Sequence, residues 1–188
     1  MTNNSKKVFF DVGTNLFQGY EFFKSHLNIT DDWIKVFIEP NPNFNTPDNI
    51  NKIQSIPNSV YLPFALCDDI NSSVVDFYYI PNEAVNNMDQ GGRIYNKCSK
   101  CVQIKVPTIT IDSLVAPYLD CELYFKFDCE GAEYGSIPKL IEKYHNITKF
   151  VACEFHYLNQ SNEKELISQM DAIKRNISGK NIQYMEWR

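Results

Sequence analysis

Along this chain, short apolar runs alternate with segments whose apolar residues recur at helical spacing. The run Phe9-Phe10-Asp11-Val12 predicts a buried strand, and Gly13-Thr14-Asn15 predicts a tight turn into a helix. Leu16, Tyr20, Phe23 and Leu27 keep helical spacing, so Thr14 is expected to cap a helix that ends near Leu27. Val36-Phe37-Ile38-Glu39 reads as a second strand, stopped by Pro40-Asn41-Pro42. Residues 44–57 are polar and Asn-rich, which suggests a short or irregular helix. Residues 60–66 read as a third strand, placed at a sheet edge by Pro63.

Residues 74–80 and 102–109 are rich in β-branched and aromatic residues with partial alternation, and predict two more strands. Residues 81–99, with Asn86-Asn87 and Gly91-Gly92, read as a mobile loop, and Asp112 is expected to cap a short helix over 113–119. A strand follows at 123–128. The helix expected at 132–144 has Ile137, Leu140, Ile141 and Tyr144 on one face and Pro138 near its first turn. A strand at 150–155 leads to a helix at 163–177, capped by Asn162 with Glu165, and residues 182–187 complete the set as a last strand. Strands alternating with helices predict an α/β fold, a mostly parallel sheet with helices on both faces. One domain over residues 1–188 is expected, with an insertion at about 68–120.

Composition narrows the function classes. A net charge of −5 with no concentrated basic run argues against a nucleic-acid partner. No apolar run approaches the roughly 20 residues needed to cross a bilayer, and little chain precedes the first strand, so an intracellular, cytoplasmic protein without a membrane span is expected. The six cysteines are then expected as free thiols, with Cys67, Cys121, Cys129 and Cys153 as small core residues. Cys98 and Cys101 lack the second pair that a four-ligand zinc site needs.

Candidate chemistry lies where the strands end. Asp11, Glu39 and Asp128 each close an apolar strand, which is the layout of an open sheet that binds a ligand along its carboxyl edge. A carboxylate such as Glu39 suits a pair of ribose hydroxyls, and Gly13 lets the backbone approach a ligand closely. Gly13 is not followed by the glycines of a pyrophosphate-binding turn. A nucleoside cofactor without phosphates, S-adenosylmethionine, therefore fits better than a nicotinamide dinucleotide.

Three runs in the first half, Asp11-Val12-Gly13-Thr14-Asn15, Ile38-Glu39-Pro40-Asn41-Pro42 and Phe64-Ala65-Leu66-Cys67-Asp68, resemble the FkbM-type methyltransferases. Thr110-Ile111-Asp112-Ser113-Leu114, Lys126-Phe127-Asp128-Cys129-Glu130-Gly131-Ala132-Glu133 and Cys153-Glu154-Phe155-His156 continue that resemblance in order. It implies a Rossmann-like class I methyltransferase fold that uses S-adenosylmethionine to methylate a hydroxyl, often on a sugar or other small-molecule or glycan acceptor. It also implies that Asp11, Gly13 and Asn15 line the methionine portion of the cofactor, Glu39 its ribose, and Asp68 its adenine. In one place the chain departs from the family, with Phe17 where a glycine is common.

The acceptor's proton needs a base, for which His156 is the first candidate and Asp128 the second. A divalent cation held by Asp128, Glu154 and His156 is the alternative. Structural readings stand beside these: His156 satisfied by backbone, Glu130 and Glu133 serving a helix dipole, His26 and His145 closing helices, and Tyr78, Tyr79 and Tyr95 as core instead of acceptor pocket. Two other functions remain open at this point, a nicotinamide oxidoreductase and a degenerate methyltransferase fold used as a binding module.

Overall fold

In a computed structural model of the chain, residues 5–68, 72–81, 92–94, 100–156 and 163–187 are described. The predicted caps at Asn162 and the loop over most of 81–99, Tyr95 and Cys98 included, lie outside them. Six strands form one sheet in the order β3-β2-β1-β7-β8-β9: β1 (Lys7–Val12), β2 (Ile34–Ile38), β3 (Ser59–Leu62), β7 (Glu122–Phe127), β8 (Thr148–Cys153) and β9 (Gln183–Glu186). Every neighbouring pair is parallel. The protein is thus α/β with a Rossmann-like sheet, as the alternation of elements predicts.

β1 and β7 occupy the centre, so both of their faces are covered, and their residues form near-continuous apolar runs. Alternation still divides them. Val8, Phe10, Val12, Phe125 and Phe127 pack with Ile137, Leu140 and Ile141 of α4 (Glu133–Tyr144) and with Ile173 and Ile177 of α5 (Glu163–Ser178). Phe9, Phe37 and Phe150 face the other way, onto Tyr20 and Phe23 of α1 (Gln18–His26) and Ile53 of α2 (Pro47–Ser55). Helices therefore lie on both faces of the sheet.

A second, three-stranded sheet has the order β4-β6-β5, from β4 (Ala65–Leu66), β5 (Val74–Tyr79) and β6 (Val102–Ile109). The single strand expected over 60–66 is divided at Pro63: Ser59–Leu62 is the edge of the main sheet, and Ala65–Leu66 begins the second one. Proline has no N–H to continue a ladder, so pairing breaks there.

Two helix ends differ from expectation. Thr14 caps no helix, because its hydroxyl donates to the Asp11 carbonyl at 2.8 Å and α1 begins only after Phe17. Thr110, not Asp112, caps α3 (Ile111–Val115), accepting from the Ser113 N–H, while the Asp112 carboxylate reaches Lys143 and Tyr144. Pro138 lies just past the first turn of α4. Cys101 also departs from the free-thiol expectation: it is disulfide-bonded, with its partner outside the described residues. Among the described residues, Cys67, Cys121, Cys129 and Cys153 form no disulfide. No helix among them is long and apolar enough to cross a membrane.

Candidate active site

The chain leaves β1 towards β2 on one side, then returns to place β7 on the other. Strand order reverses between β1 and β7, and an open α/β sheet has its ligand crevice outside the carboxyl ends at such a point. A cavity lies there, walled by Val12, Gly13, Asn15, Glu39, Asp128 and Glu130. The second sheet completes the wall with Phe77, next to Ile94. Gly92 packs so tightly on the Phe77 ring that a Cβ would stand 2.1 Å from Cζ.

Glu39 is buried, with 7 % of its surface exposed, yet it faces the cavity. The turns after β1 and β2 hold it: Oε2 accepts the Asn15 N–H at 3.0 Å and Oε1 the Asn41 N–H at 2.8 Å. Each oxygen keeps a second lone pair for a ligand donor. Burial pushes the carboxyl up to about 7, against the pull of those two N–H groups and Lys126.

Gly13 serves a different need from the one its turn suggests. Its φ is +73°, and an added Cβ would stand 1.7 Å from the Asp128 carbonyl oxygen. The close approach is to the neighbouring strand's backbone. Phe17 also has a left-handed φ, +65°, which explains why a glycine suits this position in the resembling family. Its ring compensates by burial between Phe37 and Phe44, under the Lys52 ammonium 4.3 Å away.

Asp11 does not reach the cavity wall. It is fully buried opposite Lys126 in the β1–β7 register, 3.2 Å from Nζ. Neither Asp11 oxygen has a hydrogen bond of good geometry among the described residues, so the contact is an ion pair in character. Lys126 Nζ also donates to the Gly13 carbonyl at 2.6 Å and lies 3.4 Å from Asp128 Oδ2. Burial works against both charges. It raises Asp11 despite Lys126, whereas Asp11 and Asp128 hold the ammonium above its ordinary range.

Asp68 also stays off the wall. Its carboxylate accepts the Ile111 N–H and the Ser136 hydroxyl, and Lys139 binds its carbonyl. It fastens β4 to α3 and α4, while Leu66 is the nearby residue that lines the cavity. Tyr78 and Tyr79 do not line it either.

The structure brings Asp128, Glu154 and His156 together. The Glu154 N–H donates to the Phe127 carbonyl at 2.9 Å, setting the end of β8 beside that of β7. His156 Nε2 lies 3.6 Å from Asp128 Oδ1, 3.8 Å from Glu154 Oε1 and 3.9 Å from Glu130 Oε1. Its Nδ1 lies 3.3 Å from Glu133 Oε1, which also accepts the His156 N–H at 2.8 Å. Burial would lower His156, but Glu133, Glu130 and Asp128 outweigh it and raise it to about 9. At neutral pH the ring is therefore charged, and it is not a free base at rest.

Glu133 is more than a dipole partner for α4. Fully buried, it bonds the Gly131 N–H at 2.8 Å and ties the turn after β7 to that after β8. The two other histidines close helices, as expected. His145 Nδ1 lies 3.1 Å from the Ile141 carbonyl, and His26 stacks on Phe22.

Parallel order, a switch-point cavity and a buried strand-end carboxylate define a Rossmann-like architecture with its crevice at the carboxyl ends of the strands. Residues 11–177 match the methyltransferase FkbM domain family, and the chain belongs to it. The protein is a methyltransferase by family. No curated protein and no solved structure matches the chain.

Proposed function

We propose that this protein is an S-adenosylmethionine-dependent O-methyltransferase acting on a hydroxyl of a sugar or another small-molecule or glycan acceptor. One observation carries the cofactor assignment. Glu39 faces the cavity with one backbone N–H on each oxygen and a lone pair free on each, matching two adjacent ribose hydroxyls. The apolar wall at Leu66, Phe77 and Ile94 suits an adenine ring. Gly13 and Asn15 offer polar atoms to the amino-acid tail. Asp11 acts at one remove, holding Lys126 beneath Gly13, and Asp68 acts through the strand that carries Leu66.

The wall takes no residue from the first turn of α1, so a pyrophosphate would not meet that helix's amides. This favours a phosphate-free cofactor over a nicotinamide dinucleotide. Bound S-adenosylmethionine would supply an electrophilic methyl group. The protein's task is then to hold an acceptor hydroxyl in line and manage its proton. Asp128 stands on the cavity wall with Glu154 beside it, and their carboxylates accept the hydroxyl's hydrogen bond. His156 Nε2 stands between the two carboxylates and, without a bound cation, carries a charge that orients them.

Calorimetric titration of S-adenosylhomocysteine into the folded protein tests the cofactor reading, and methyl transfer to a panel of sugars tests the acceptor reading. Absence of binding would overturn the first. Methylation confined to nitrogen acceptors would overturn the second.

A further inference from the structure

We propose that Asp128, Glu154 and His156 bind an oxygen-preferring divalent cation, Mg2+ or Mn2+, at the rim of the cavity. Its use in methyl transfer rests on the reading above, while the site itself stands on its own geometry. One ligand atom from each residue lies within 4.8 Å of the others. Nε2 is 3.6 Å from Asp128 Oδ1 and 3.8 Å from Glu154 Oε1. Donors bound ~2.1–2.2 Å from one metal, at angles of ~90–120°, stand ~3.0–3.8 Å apart. Both distances from Nε2 fall in that range, and the two carboxylates lie within 4.8 Å of each other.

The orientation of His156 is the second observation. A metal-binding histidine generally gives its other ring nitrogen to a carboxylate, which fixes the ring and its tautomer. Glu133 does this from full burial, anchored by the Gly131 and His156 backbone N–H groups. Nε2 is thereby turned towards the remaining carboxylates. A carboxylate serving only a helix terminus has no need of the ring.

Charge points the same way. Asp128, Glu130, Glu133 and Glu154 all lie within 3.9 Å of an imidazole nitrogen, and an imidazolium offsets only one of them. Lys126 reaches Asp128 through Oδ2, leaving Oδ1 towards His156. The nearby thiols are turned elsewhere, Cys129 to Glu133 and Cys153 to the Glu154 carbonyl. Two carboxylates and one imidazole form a mixed set of hard oxygens and one borderline nitrogen, which suits Mn2+ better than Mg2+ and leaves further positions open to water or acceptor oxygens. Asp128 belongs to both this set and the cavity wall, which places the cation on the acceptor side.

Mn2+ titration of the full chain, followed by loss of the free-ion EPR signal, tests the site. One saturable site is expected, weakened at least tenfold in Glu154→Gln and in His156→Gln. Glu133→Gln is expected to weaken it by ~10–100-fold through loss of orientation. Asp112→Asn, at an exposed acid paired with Lys143 away from the site, should leave binding unchanged. Circular dichroism confirms folding, and Glu154, with a side chain 37 % exposed, is the substitution least able to disturb it. The proposal is overturned if the folded wild type shows no saturable Mn2+ site, or if Glu154→Gln and His156→Gln bind as the wild type does. S-adenosylhomocysteine titration in EDTA separates the two readings. Cofactor binding without Mn2+ binding sinks only the metal site, and Mn2+ binding without cofactor binding sinks the S-adenosylmethionine reading.

Discussion

Asp11 and Lys126 stand opposite one another on the two central strands, their charged groups 3.2 Å apart and sealed under the start of α1. An added Cβ on Gly19 would meet Lys126 Cε at 2.9 Å and Asp11 Oδ1 at 3.0 Å, so the helix packs directly on the pair. Removing one partner strands the other charge without water. Lys126→Met is expected to cost about 3–5 kcal/mol in urea denaturation, with part recovered in Asp11→Asn/Lys126→Met. A neutral single substitution would show that the pair is not the structural unit described.

Gly13→Ala sets a Cβ against the Asp128 carbonyl while keeping a left-handed φ. Neither backbone can yield without opening the β1–β7 ladder. A loss of at least about 3 kcal/mol, or failure to fold, is expected by chemical denaturation. A tolerated alanine would refute the close strand approach.

Phe17 permits a test with an inverted sign. Phe17→Ala removes a ring buried to 1 % exposure and is expected to cost about 3–5 kcal/mol. Glycine ordinarily destabilises a folded chain more than alanine. Here a φ of +65° strains alanine, so Phe17→Gly should be the more stable of the two by about 1 kcal/mol. Thermal unfolding of both variants decides it.

The alternation of apolar runs and helical stripes made the sheet readable, because buried parallel strands and amphipathic helices leave separate periodicities. The place of Glu39 and Asp128 on the cavity wall was readable because a carboxylate closing an apolar strand must meet either a partner or a ligand. Lys126 was not read, although a lysine inside an apolar strand two residues before Asp128 was a usable signal; its pairing with Asp11 depends on inter-strand register. Asp11 and Asp68 were assigned to cofactor by resemblance, and tertiary contacts turn both inwards instead. Glu133 looked like a helix-dipole residue because nothing local to α4 reveals that the end of β8 packs beside it.

Glu39 gives a pH dependence. Its carboxyl rises from an ordinary 4.5 to about 7 through burial, so the folded state holds this proton more tightly than the unfolded one. The resulting penalty is absent below about pH 4.5, grows as pH rises, and is complete above about pH 7, at about 3 kcal/mol. Glu39→Gln should therefore flatten this part of the stability profile, raising stability at pH 8 relative to pH 5. Wild-type cofactor affinity should run the opposite way, falling below pH 7 as the protonated carboxyl gives up an acceptor site for the ribose. Denaturation and binding measured across pH 5–8 would expose the two opposed trends.

Calorimetric titration of S-adenosylhomocysteine into wild type and Glu39→Gln, at pH 8 and with folding confirmed, tests the cofactor site most directly. Saturation at one equivalent is expected for the wild type. Affinity should be about 10–100-fold weaker in the variant, the scale of losing hydrogen bonds to a charged acceptor. A folded wild type that gives no binding heat, or a Glu39→Gln variant that binds equally well, would contradict a cofactor site at the ends of β1, β2 and β7.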